Sequence, residues 1–391
     1  MKHLDDLKYK GKTVFLRVDF NVPLDENGNI RNDNRIRASL PTINYLIGQG
    51  AKLVIASHLG RPKGKVDPKM SLKPAAKRLS ELISADVFMA PDCVGEDVDR
   101  LKKELKSGQV LLLENVRFHA EETANDAGFA QKLARDIDCY VNDAFGSCHR
   151  THASVAAITQ FVKEKAAGYL LQKEVKYLSK AIRSPKKPYV AILGGAKVSD
   201  KIGVIQNLLN KADDILIGGA MAYTFFKAQG YEVGKSLVED DKLQIALEVL
   251  TKAKEKKVDF RLPLDHVLAT GIDKEAQIKV SESFPFPADW MAVDIGPKTV
   301  AEYSKIIARA KTIFWNGPLG VFEIDKFAKG TVKIAEAVAA SKAVSIVGGG
   351  DSIAAVEKTE VSKRITHIST GGGASLEYLA NETLPGIEAL E

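Results

Sequence analysis

Short runs of apolar residues alternate along the chain with longer stretches in which apolar residues recur every three or four positions. The short runs, rich in Val, Ile and Leu, indicate strands, and stretches such as Pro74–Ser84 and Glu302–Lys311 indicate amphipathic helices. Strands that are apolar on both faces and alternate with helices are typical of parallel sheets covered by helices. The pattern therefore predicts an α/β fold.

Twelve strands are predicted from these runs. In the first half of the chain they lie at Thr13–Val18, Lys52–Ser57, Val87–Ala90, Val110–Leu113 and Cys139–Val141. In the second half they lie at Tyr189–Leu193, Asp214–Ile217, Asp259–Leu262, Met291–Val293, Thr312–Trp315, Val344–Val347 and His367–Ile368. A chain of 391 residues exceeds what one hydrophobic core usually supports, so two domains are expected.

The boundary between the domains is expected near the segment GYLLQKEVKYLSKAIRSPKKP, which begins at Gly168. This segment predicts a helix rich in Lys and Glu that ends before Pro185 and Pro188. A polar helix followed by a proline-marked linker often joins two domains. We therefore expect a first domain over residues 1–168, a bridging helix and hinge over 169–184, and a second domain over 185–375. The alternative is one more surface helix within a single domain.

Composition excludes several functional classes. No apolar run reaches the roughly 18 residues that span a bilayer, and residues 1–12 are too polar for a secretion signal. Three cysteines, Cys93, Cys139 and Cys148, show no metal-ligand spacing, which suggests a reducing cytoplasm. The net charge of +6 is too small and too scattered for nucleic-acid binding. We expect neither a membrane nor a nucleic acid as a partner.

Glycine-rich turns follow many strands of the second half, where ligands of parallel sheets usually bind. They include Gly194-Gly195, Gly218-Gly219, the GGGD turn and the STGGG turn, and the last two lead into helices. Backbone amides at a helix start bind anions, although a glycine turn that only caps a helix is the structural alternative. Lys197 and Lys201 follow the first glycine pair, yet neither a P-loop nor a G-x-G-x-x-G motif is present.

The first half carries cationic side chains instead. They lie at or just after strand ends, or at a helix start, and are Arg35, His58, Arg61, Arg117, His149 and Arg150. Arginine binds carboxylates and phosphates through a planar set of donors, so the group predicts a pocket for a small, multiply charged anion. Neither a Ser/His/Asp arrangement nor a His/Cys metal cluster is evident. Phosphoryl transfer suits such a chain, because it requires positioning and charge neutralisation more than covalent protein chemistry.

Nine motifs in order along the chain closely resemble the phosphoglycerate kinase family. They are RVDFNVP, NDNRIRASLPTI, SHLGRPKG, LLLENVRFHAEE, YVNDAFGSCHRTHAS, ILGGAKVSDKI, WNGPLGVFE, VGGGDS and STGGGASLE, and they extend from about Thr13 to Pro385. Only small departures are seen, at Ser147-Cys148 and Ser352. The resemblance implies two doubly wound, Rossmann-like parallel-sheet domains that face a cleft and are joined by the bridging helix. It also implies that residues of about 376–391 pack back on the first domain.

The resemblance further implies the ligands and the residues that hold them. The first domain would bind 3-phosphoglycerate or 1,3-bisphosphoglycerate through Asp19, Asn21, Arg35, His58, Arg61, Arg117 and Arg150. The second domain would bind MgADP or MgATP through Gly194, Gly195, Lys201, Gly218, Gly219, Asn316, Pro318, Glu323, Gly349, Gly350, Asp351 and Ser352. Glu323 would contact the ribose, and Asp351 would serve the Mg²⁺. The catalytic groups would be Arg35, Lys197, Gly371, Gly372 and Gly373.

The implied reaction is reversible phosphoryl transfer in glycolysis and gluconeogenesis by a cytoplasmic monomer. The acceptor carboxylate is already ionised at neutral pH and needs no general base, which agrees with the missing base–nucleophile pair. Ligands held on separate domains require hinge closure before they can react. Two alternatives remain open from the residues alone: an NAD-dependent dehydrogenase, which should carry the missing dinucleotide motif, and a non-catalytic anion-binding protein.

Overall fold

The computed structural model describes every residue from Met1 to Glu391 and divides the chain into two compact units. The first unit comprises Met1–Lys176 together with Thr383–Glu391, and the second comprises Tyr177–Glu382. The division falls inside a helix, Tyr169–Arg183. None of the helices combines the length and the apolar character needed to cross a lipid bilayer.

The first unit is built on a six-stranded parallel sheet. Its strands are β1 (Thr13–Arg17), β2 (Lys52–Ala56), β3 (Val87–Met89), β4 (Val110–Leu112), β5 (Cys139–Asn142) and β6 (Glu164–Ala167). They are arranged in the order β3-β4-β2-β1-β5-β6, and β1 pairs in parallel with both β2 and β5. The helices are α1 (Asn34–Gly48), α2 (Lys73–Leu82), α3 (Glu96–Glu104), α4 (Ala120–Thr123), α5 (Ala127–Leu133) and α6 (Tyr169–Arg183).

The second unit contains a parallel sheet and a smaller antiparallel sheet. Its strands are β7 (Tyr189–Leu193), β8 (Asp214–Ile217), β9 (Asp259–Arg261), β10 (His266–Ala269), β11 (Ile278–Ser281), β12 (Met291–Ile295), β13 (Thr312–Asn316), β14 (Val344–Gly348) and β15 (His367–Ile368). The parallel sheet has the order β15-β14-β13-β7-β8-β9, and the antiparallel sheet has the order β11-β10-β12. The helices are α7 (Ile202–Leu208), α8 (Met221–Ala228), α9 (Leu243–Glu255), α10 (Pro297–Arg309), α11 (Lys329–Ala340), α12 (Gly350–Glu357) and α13 (Gly373–Asn381).

The central strands of both parallel sheets are buried on both faces. In β1, Val14, Phe15 and Leu16 have no exposed surface, and in β7 all five residues are buried. Helices cover both faces of such a sheet, so alternate side chains of one strand enter two different apolar layers. The predicted α/β fold with two parallel-sheet units is confirmed.

All twelve predicted strands are present, with ends that differ by at most two residues, but three further strands were not predicted. β6 is short and begins with the charged pair Glu164-Lys165, while β11 is largely exposed and carries no buried run. β10 pairs antiparallel with both β11 and β12. Consequently β12, which was expected among the parallel strands, lies instead in the antiparallel sheet.

A short segment after α13 belongs to the first unit. It contains α14 (Pro385–Glu388), in which the amide of Gly386 donates to the carbonyl of Cys148 at 2.8 Å. A Cβ atom on Gly386 would lie 2.8 Å from Cα of Cys148, so only glycine allows this approach. Lys165 adds a hydrogen bond from its Nζ to the carbonyl of Ala389 at 3.0 Å. The segment that returns to the first unit begins at Thr383, whereas α13 is part of the second unit.

Candidate active site

Two loops at the carboxyl edge of the first sheet bring predicted residues together. Asp19 and Asn21 follow β1, and His58 follows the neighbouring strand β2. The side chain of Asn21 accepts a hydrogen bond from the amide of Gly60 at 2.8 Å, and Asp19 accepts one from the amide of Asn21 at 3.1 Å. The first bond joins the two loops and the second orders the loop after β1, so side chains from adjacent strands share one small surface.

Arg35 reaches this surface from the start of α1. Its guanidinium donates to Oδ2 of Asp19 at 2.5 Å, and its side chain remains 36% exposed. Burial raises the pKa of Asp19, but the neighbouring His58, the charges of Arg35 and Arg17 and the amide of Asn21 together outweigh burial, and the pKa is lowered. Asp19 therefore holds Arg35 in place as a carboxylate, while other guanidinium donors stay available to a ligand.

Arg17, the last residue of β1, was not predicted from the sequence. It is fully buried, its Nε donates to Oγ of Ser154 at 2.8 Å, and a terminal nitrogen lies 3.2 Å from Nδ1 of His58. Burial, and after it the charges of Arg17 and Arg117, hold the pKa of His58 well below its ordinary value. The only sequence signal for Arg17 is that a charge interrupts the apolar run TVFLRV.

Arg117 lies in the turn after β4 and is oriented by two hydrogen bonds. The side chain of Asn115 accepts from its amide at 3.0 Å, and its guanidinium donates to the carbonyl of Gly60 at 2.9 Å. Burial lowers the pKa of Arg117 to about 10, and its Nε is buried without a hydrogen-bond partner. A desolvated guanidinium with an unused donor is suited to bind an anion.

The remaining cationic side chains of the first unit are less constrained. Arg61 and Arg150 are exposed, and their side chains take part in neither an ion pair nor a protein hydrogen bond. His149 and His152 are largely buried, and burial lowers the pKa of each to about 4. The structure thus links Asp19, Asn21, Arg35 and Arg117 by hydrogen bonds that include the backbone of Gly60. It places His58 against Arg17 and leaves Arg61 and Arg150 exposed.

In the second unit the ends of β7 and β13 approach so closely that side chains are excluded. The amides of Gly194 and Gly195 donate to the carbonyls of Asn316 and Pro318, both at 2.9 Å. A Cβ atom on Gly194 would lie 2.1 Å from the carbonyl oxygen of Pro318, and one on Gly317, where φ is +94°, would lie 2.1 Å from the oxygen of Gly194. The glycines therefore serve close backbone packing at this edge.

The glycine pair after β8 serves the same packing. A Cβ atom on Gly218 would lie 2.5 Å from the side chain of Leu319, and one on Gly219 would lie 2.6 Å from the backbone of Gly195. Gly219 also has a φ of +67°, which few other residues adopt. The turns after β7, β8 and β13 thus form one continuous backbone surface.

Lys201 and Asn316 form a buried polar chain below this surface. Lys201 lies just before α7, is 8% exposed, and donates from Nζ to Oδ1 of Asn316, whose Nδ2 donates to the carbonyl of Gly348 at 2.7 Å. Burial lowers the pKa of Lys201 to about 8, although the carboxylates of Asp200 and Asp351 act in the opposite direction. Lys197 lies exposed in the loop between β7 and α7, without a hydrogen bond or an ion pair.

A cavity of about 240 Å³ opens beside the glycine turns. Five predicted residues line it: Gly195, Gly219, Pro318, Glu323 and Asp351. The other lining residues were not predicted from the sequence and are Ala196, Ala220, Tyr223, Ala292, Val293, Asp294, Leu319, Gly320, Val321 and Phe322. Three of these residues, Ala292, Val293 and Asp294, belong to β12, which was expected in the parallel sheet.

Two helices of the second unit begin at predicted glycine turns. Gly349, with a φ of +94°, precedes α12, and Oγ of Ser352 in the first turn of that helix accepts from the amide of Gly317 at 2.5 Å. Gly372, with a φ of +54°, precedes α13, and the amide of Gly371 donates to Oγ of Ser369 at 3.2 Å. The first amides of a helix have no acceptor within the helix, so both starts are suited to anions.

Asp351 fits the role of a Mg²⁺ ligand. It lies in the first turn of α12, is exposed, lines the cavity and takes part in no ion pair. Magnesium in nucleotide sites is usually held by one or two carboxylates together with phosphate oxygens. An unpaired carboxylate at the wall of the cavity offers this donor set.

Comparison with known proteins matches this arrangement to one family. The family model described as phosphoglycerate kinase matches residues 4–382. The chain is 59% identical over 395 residues to the phosphoglycerate kinase of Koribacter versatilis, with 99% of this chain and 98% of that protein covered. It is 56% identical over 393 residues to that of Anaeromyxobacter sp. (strain Fw109-5), with 100% and 99% covered.

Solved structures agree with the sequence relatives. The structure of phosphoglycerate kinase from Coxiella burnetii aligns with a TM-score of 0.89 at 42% identity, covering 99% of this chain and 98% of that one. The phosphoglycerate kinase from Pyrococcus horikoshii aligns with a TM-score of 0.86 at 37% identity, covering 100% and 98%. With two parallel-sheet units and a full-length match at this identity, the chain belongs to the phosphoglycerate kinase family.

Proposed function

We propose that this chain transfers a phosphoryl group between 1,3-bisphosphoglycerate and ADP, giving 3-phosphoglycerate and ATP, and catalyses the reverse reaction at the same site. The observation that carries the proposal is the chemistry of the two sheet edges. The first unit presents arginine and histidine side chains suited to a small polyanion, and the second presents glycine turns, a buried lysine and helix starts suited to a nucleotide. Membership of the family supports the assignment of the two ligands.

In the first unit, Arg35, Arg117 and His58 would bind the phosphoglycerate, with Asp19 and Asn21 orienting them. Arg35 and Arg117 keep guanidinium donors that no protein group uses. Arg61 and Arg150 would complete the site by folding onto the bound anion, because both side chains are free to move. An acid that carries a carboxylate and a phosphate offers several anionic oxygens, and the four arginine side chains can bind them.

In the second unit, the nucleotide would lie along the turns after β7, β8 and β13. Lys201 would contact the phosphates, Glu323 the ribose and Asp351 the Mg²⁺. When bound, the Mg²⁺ neutralises charge on the phosphate oxygens and orients them. The amides of Gly349, Gly350 and Ser352 would add partial positive charge at the start of α12, which favours the binding of phosphate groups.

The transfer itself requires positioning and charge stabilisation. In the ATP-consuming direction, a carboxylate oxygen of 3-phosphoglycerate forms a bond to the terminal phosphorus while the bond from that phosphorus to the bridging oxygen of ATP breaks, and ADP leaves. The acceptor is ionised, so no proton has to be removed. Arg35, Lys197 and the amides of Gly371, Gly372 and Gly373 would stabilise the negative charge on the transferred group.

We further propose that the two units close on each other during turnover, with residues 169–184 acting as the hinge. Reacting atoms must come within roughly 3–3.5 Å, and closure of the units would bring ligands bound by each of them to this distance. Closure would also exclude water, which could hydrolyse the acyl phosphate. We expect the enzyme to act as a monomer in the cytoplasm, in glycolysis or gluconeogenesis.

A coupled assay tests the proposed function directly. Purified protein, 3-phosphoglycerate and MgATP should give 1,3-bisphosphoglycerate, detected through its reductive dephosphorylation by an added NADH-dependent enzyme. The reaction should stop when 3-phosphoglycerate or Mg²⁺ is omitted. Binding of both ligands without turnover would favour the non-catalytic anion-binding protein, and oxidation of a substrate by NAD in the absence of ATP would favour the dehydrogenase.

A further inference from the structure

Three side chains with metal-ligating atoms lie together in the first unit, and the proposed function uses none of them. Asp92 and Cys93 follow β3, and His119 follows the turn after β4. One oxygen, the sulfur and one ring nitrogen from these residues all lie within 4.8 Å of one another. Because β3 and β4 are parallel neighbours, their carboxyl ends meet at the same edge, which spacing along the chain does not reveal.

Protein contacts fix the positions of the three ligand atoms, and the amide of Cys93 donates to Oδ1 of Asp92 at 2.6 Å. Nε2 of His119 lies 2.6 Å from Oδ1 of Asp92, and the thiol of Cys93 donates to the carbonyl of Glu114 at 2.9 Å. The ring of His119 stacks on Phe129, with centroids 4.9 Å apart. A bound ion would replace the contact between His119 and Asp92 and the hydrogen bond of the Cys93 thiol, while the three residues keep their places.

We propose that Asp92, Cys93 and His119 form a binding site for Zn²⁺, with water as the fourth ligand. A thiolate and an imidazole select zinc over magnesium, which prefers oxygen ligands. Tetrahedral zinc with bonds of about 2.0–2.3 Å spaces its ligand atoms roughly 3.3–3.8 Å apart. The distances between the three ligand atoms are at most 4.8 Å, and the shortest, between Nε2 of His119 and Oδ1 of Asp92, is 2.6 Å. That shortest distance has to increase by less than about 1 Å to fit tetrahedral zinc.

Charge and access agree with a divalent cation. As the zinc–sulfur bond forms, the S–H bond breaks and its proton goes to solvent. The proton that Nε2 of His119 donates to Asp92 leaves that nitrogen as well, to solvent from a protonated ring or to Nδ1 through solvent exchange from a neutral one, and His119 then binds through Nε2 as the neutral ring. One thiolate, one carboxylate and Zn²⁺ sum to zero charge, which suits a partly buried site. Cys93 is fully buried, whereas the side chains of Asp92 and His119 are 47% and 24% exposed and open the site to solvent.

The carboxylates of Asp92, Glu122 and Glu114 surround the thiol of Cys93 with negative charge. Such surroundings attract a divalent cation. Bound zinc would also tie the loop after β3 to the loop after β4.

The site is tested by titrating nucleotide-free protein, stripped of metal by a chelator, with Co²⁺ in the presence of excess Mg²⁺. Cobalt reports zinc sites spectroscopically, and Mg²⁺ occupies any oxygen-only sites. We expect one Co²⁺ per chain with a thiolate-to-metal charge-transfer band and the visible bands of tetrahedral cobalt. Stoichiometric Zn²⁺ should displace the cobalt and remove both signals.

Variants locate the signal. His119→Gln and Cys93→Ser should abolish the thiolate band and weaken Zn²⁺ binding by more than the ~10–100-fold that follows loss of a group that only orients a ligand. Cys139→Ser is the matched control, since Cys139 is also buried in the first unit but contacts Glu164 and no histidine, and it should keep the band. Circular dichroism establishes whether each variant is folded. If the buried substitution Cys93→Ser unfolds the protein, His119→Gln still tests the proposal, because His119 is partly exposed and its replacement disturbs the core less.

Several outcomes overturn the proposal. Wild-type protein that shows no thiolate band at stoichiometric cobalt has no site of this kind. A band that persists in folded His119→Gln, or one that disappears in Cys139→Ser, assigns the metal to other residues. None of these measurements depends on phosphoryl transfer, so failure of the proposed function leaves the zinc proposal standing, and the reverse holds as well.

Discussion

A terminal guanidinium nitrogen of Arg17 lies 3.2 Å from Nδ1 of His58, and both side chains are buried. An arginine only donates hydrogen bonds, so Nδ1 of His58 is the acceptor in this contact. The ring proton of a neutral His58 must then lie on Nε2. Arg17 thereby selects the tautomer of a proposed substrate-binding residue from a position that no ligand needs to touch.

The first prediction is that His58 stays neutral across the physiological range. Burial, with Arg17 and Arg117 nearby, holds its pKa well below the ordinary value. We expect the ring proton signals of His58, assigned by comparison with His58→Asn, to titrate at a clearly lower pH in the folded protein than in the unfolded chain. In denaturant the same signals should titrate near the unperturbed pKa of about 6.5. A midpoint in the folded protein that equals or exceeds the one in denaturant would contradict this prediction.

The second prediction concerns the ion pair between Arg35 and Asp19. Replacement of Arg35 by Ala removes a partly exposed cation, so the fold should persist. Turnover in the coupled assay should fall by roughly 10³-fold, the lower end for an arginine that stabilises transferred phosphoryl charge.

Arg37→Ala provides the matched control for that variant. Arg37 lies on the same helix, pairs with Asp33 and has a 51% exposed side chain. Turnover of Arg37→Ala should stay within about twofold of wild type, since exposed ion pairs contribute only ~0–1 kcal/mol. Near-normal turnover in Arg35→Ala would remove Arg35 from the mechanism.

The third prediction is a pH dependence of nucleotide affinity that originates at Lys201. Because burial lowers its pKa to about 8, the side chain loses its positive charge as the pH rises above 8. The Kd for ADP, measured by calorimetry, should therefore increase by up to about tenfold per pH unit above that value.

Lys201→Met separates this effect from other titrations. The methionine side chain fills similar space and has no titratable group. The variant should bind ADP more weakly at pH 7, and the difference from wild type should shrink as the pH rises to 10. If wild type and variant weaken in parallel, Lys201 is not the titrating group.

The fourth prediction follows from the close approach of β7 and β13. Gly194→Ala places a methyl group 2.1 Å from the oxygen of Pro318, and Gly317→Ala additionally requires a positive φ. Overpacking usually costs about 1–3 kcal/mol, and in a unit of this size each kcal/mol lowers Tm by ~2–4 °C. Both variants should melt earlier by calorimetry.

Gly350→Ala is the stability control for those two glycines. It lies in the same unit at the start of α12, and a Cβ atom there meets no other atom within 4 Å. Its Tm should equal or slightly exceed that of wild type. An unchanged Tm in Gly194→Ala would show that the backbone crossing relaxes without loss of stability.

Most of the fold could be predicted because it depends on local patterns. The strands of a parallel sheet are apolar on both faces, so β1, β2, β7 and β13 can be recognised in the sequence as short apolar runs. β6 and β11 lack such runs, and their strand character comes from pairing with distant neighbours. β12 has a suitable run, yet whether it pairs in parallel or antiparallel depends on β10, which the sequence pattern does not reveal.

The candidate site was predicted in part for similar reasons. Residues at strand ends, such as Asp19 and Asn316, can be recognised because the topology of parallel sheets assigns ligands to that edge. Arg17 was missed because it lies within a strand and acts through His58. Tyr223 was missed because it lines the cavity from a helix whose pattern resembles ordinary core. The cluster of Asp92, Cys93 and His119 depends on a strand pairing between segments far apart in the chain.

The return of residues 383–391 to the first unit has a consequence for biosynthesis. The carbonyl of Cys148 accepts a hydrogen bond from the amide of Gly386. Gly386 is synthesised only after the whole second unit has been translated. A nascent chain thus carries an amino-terminal unit that lacks its last segment until synthesis is almost finished. Addition of this segment should therefore be among the last steps by which the polypeptide folds.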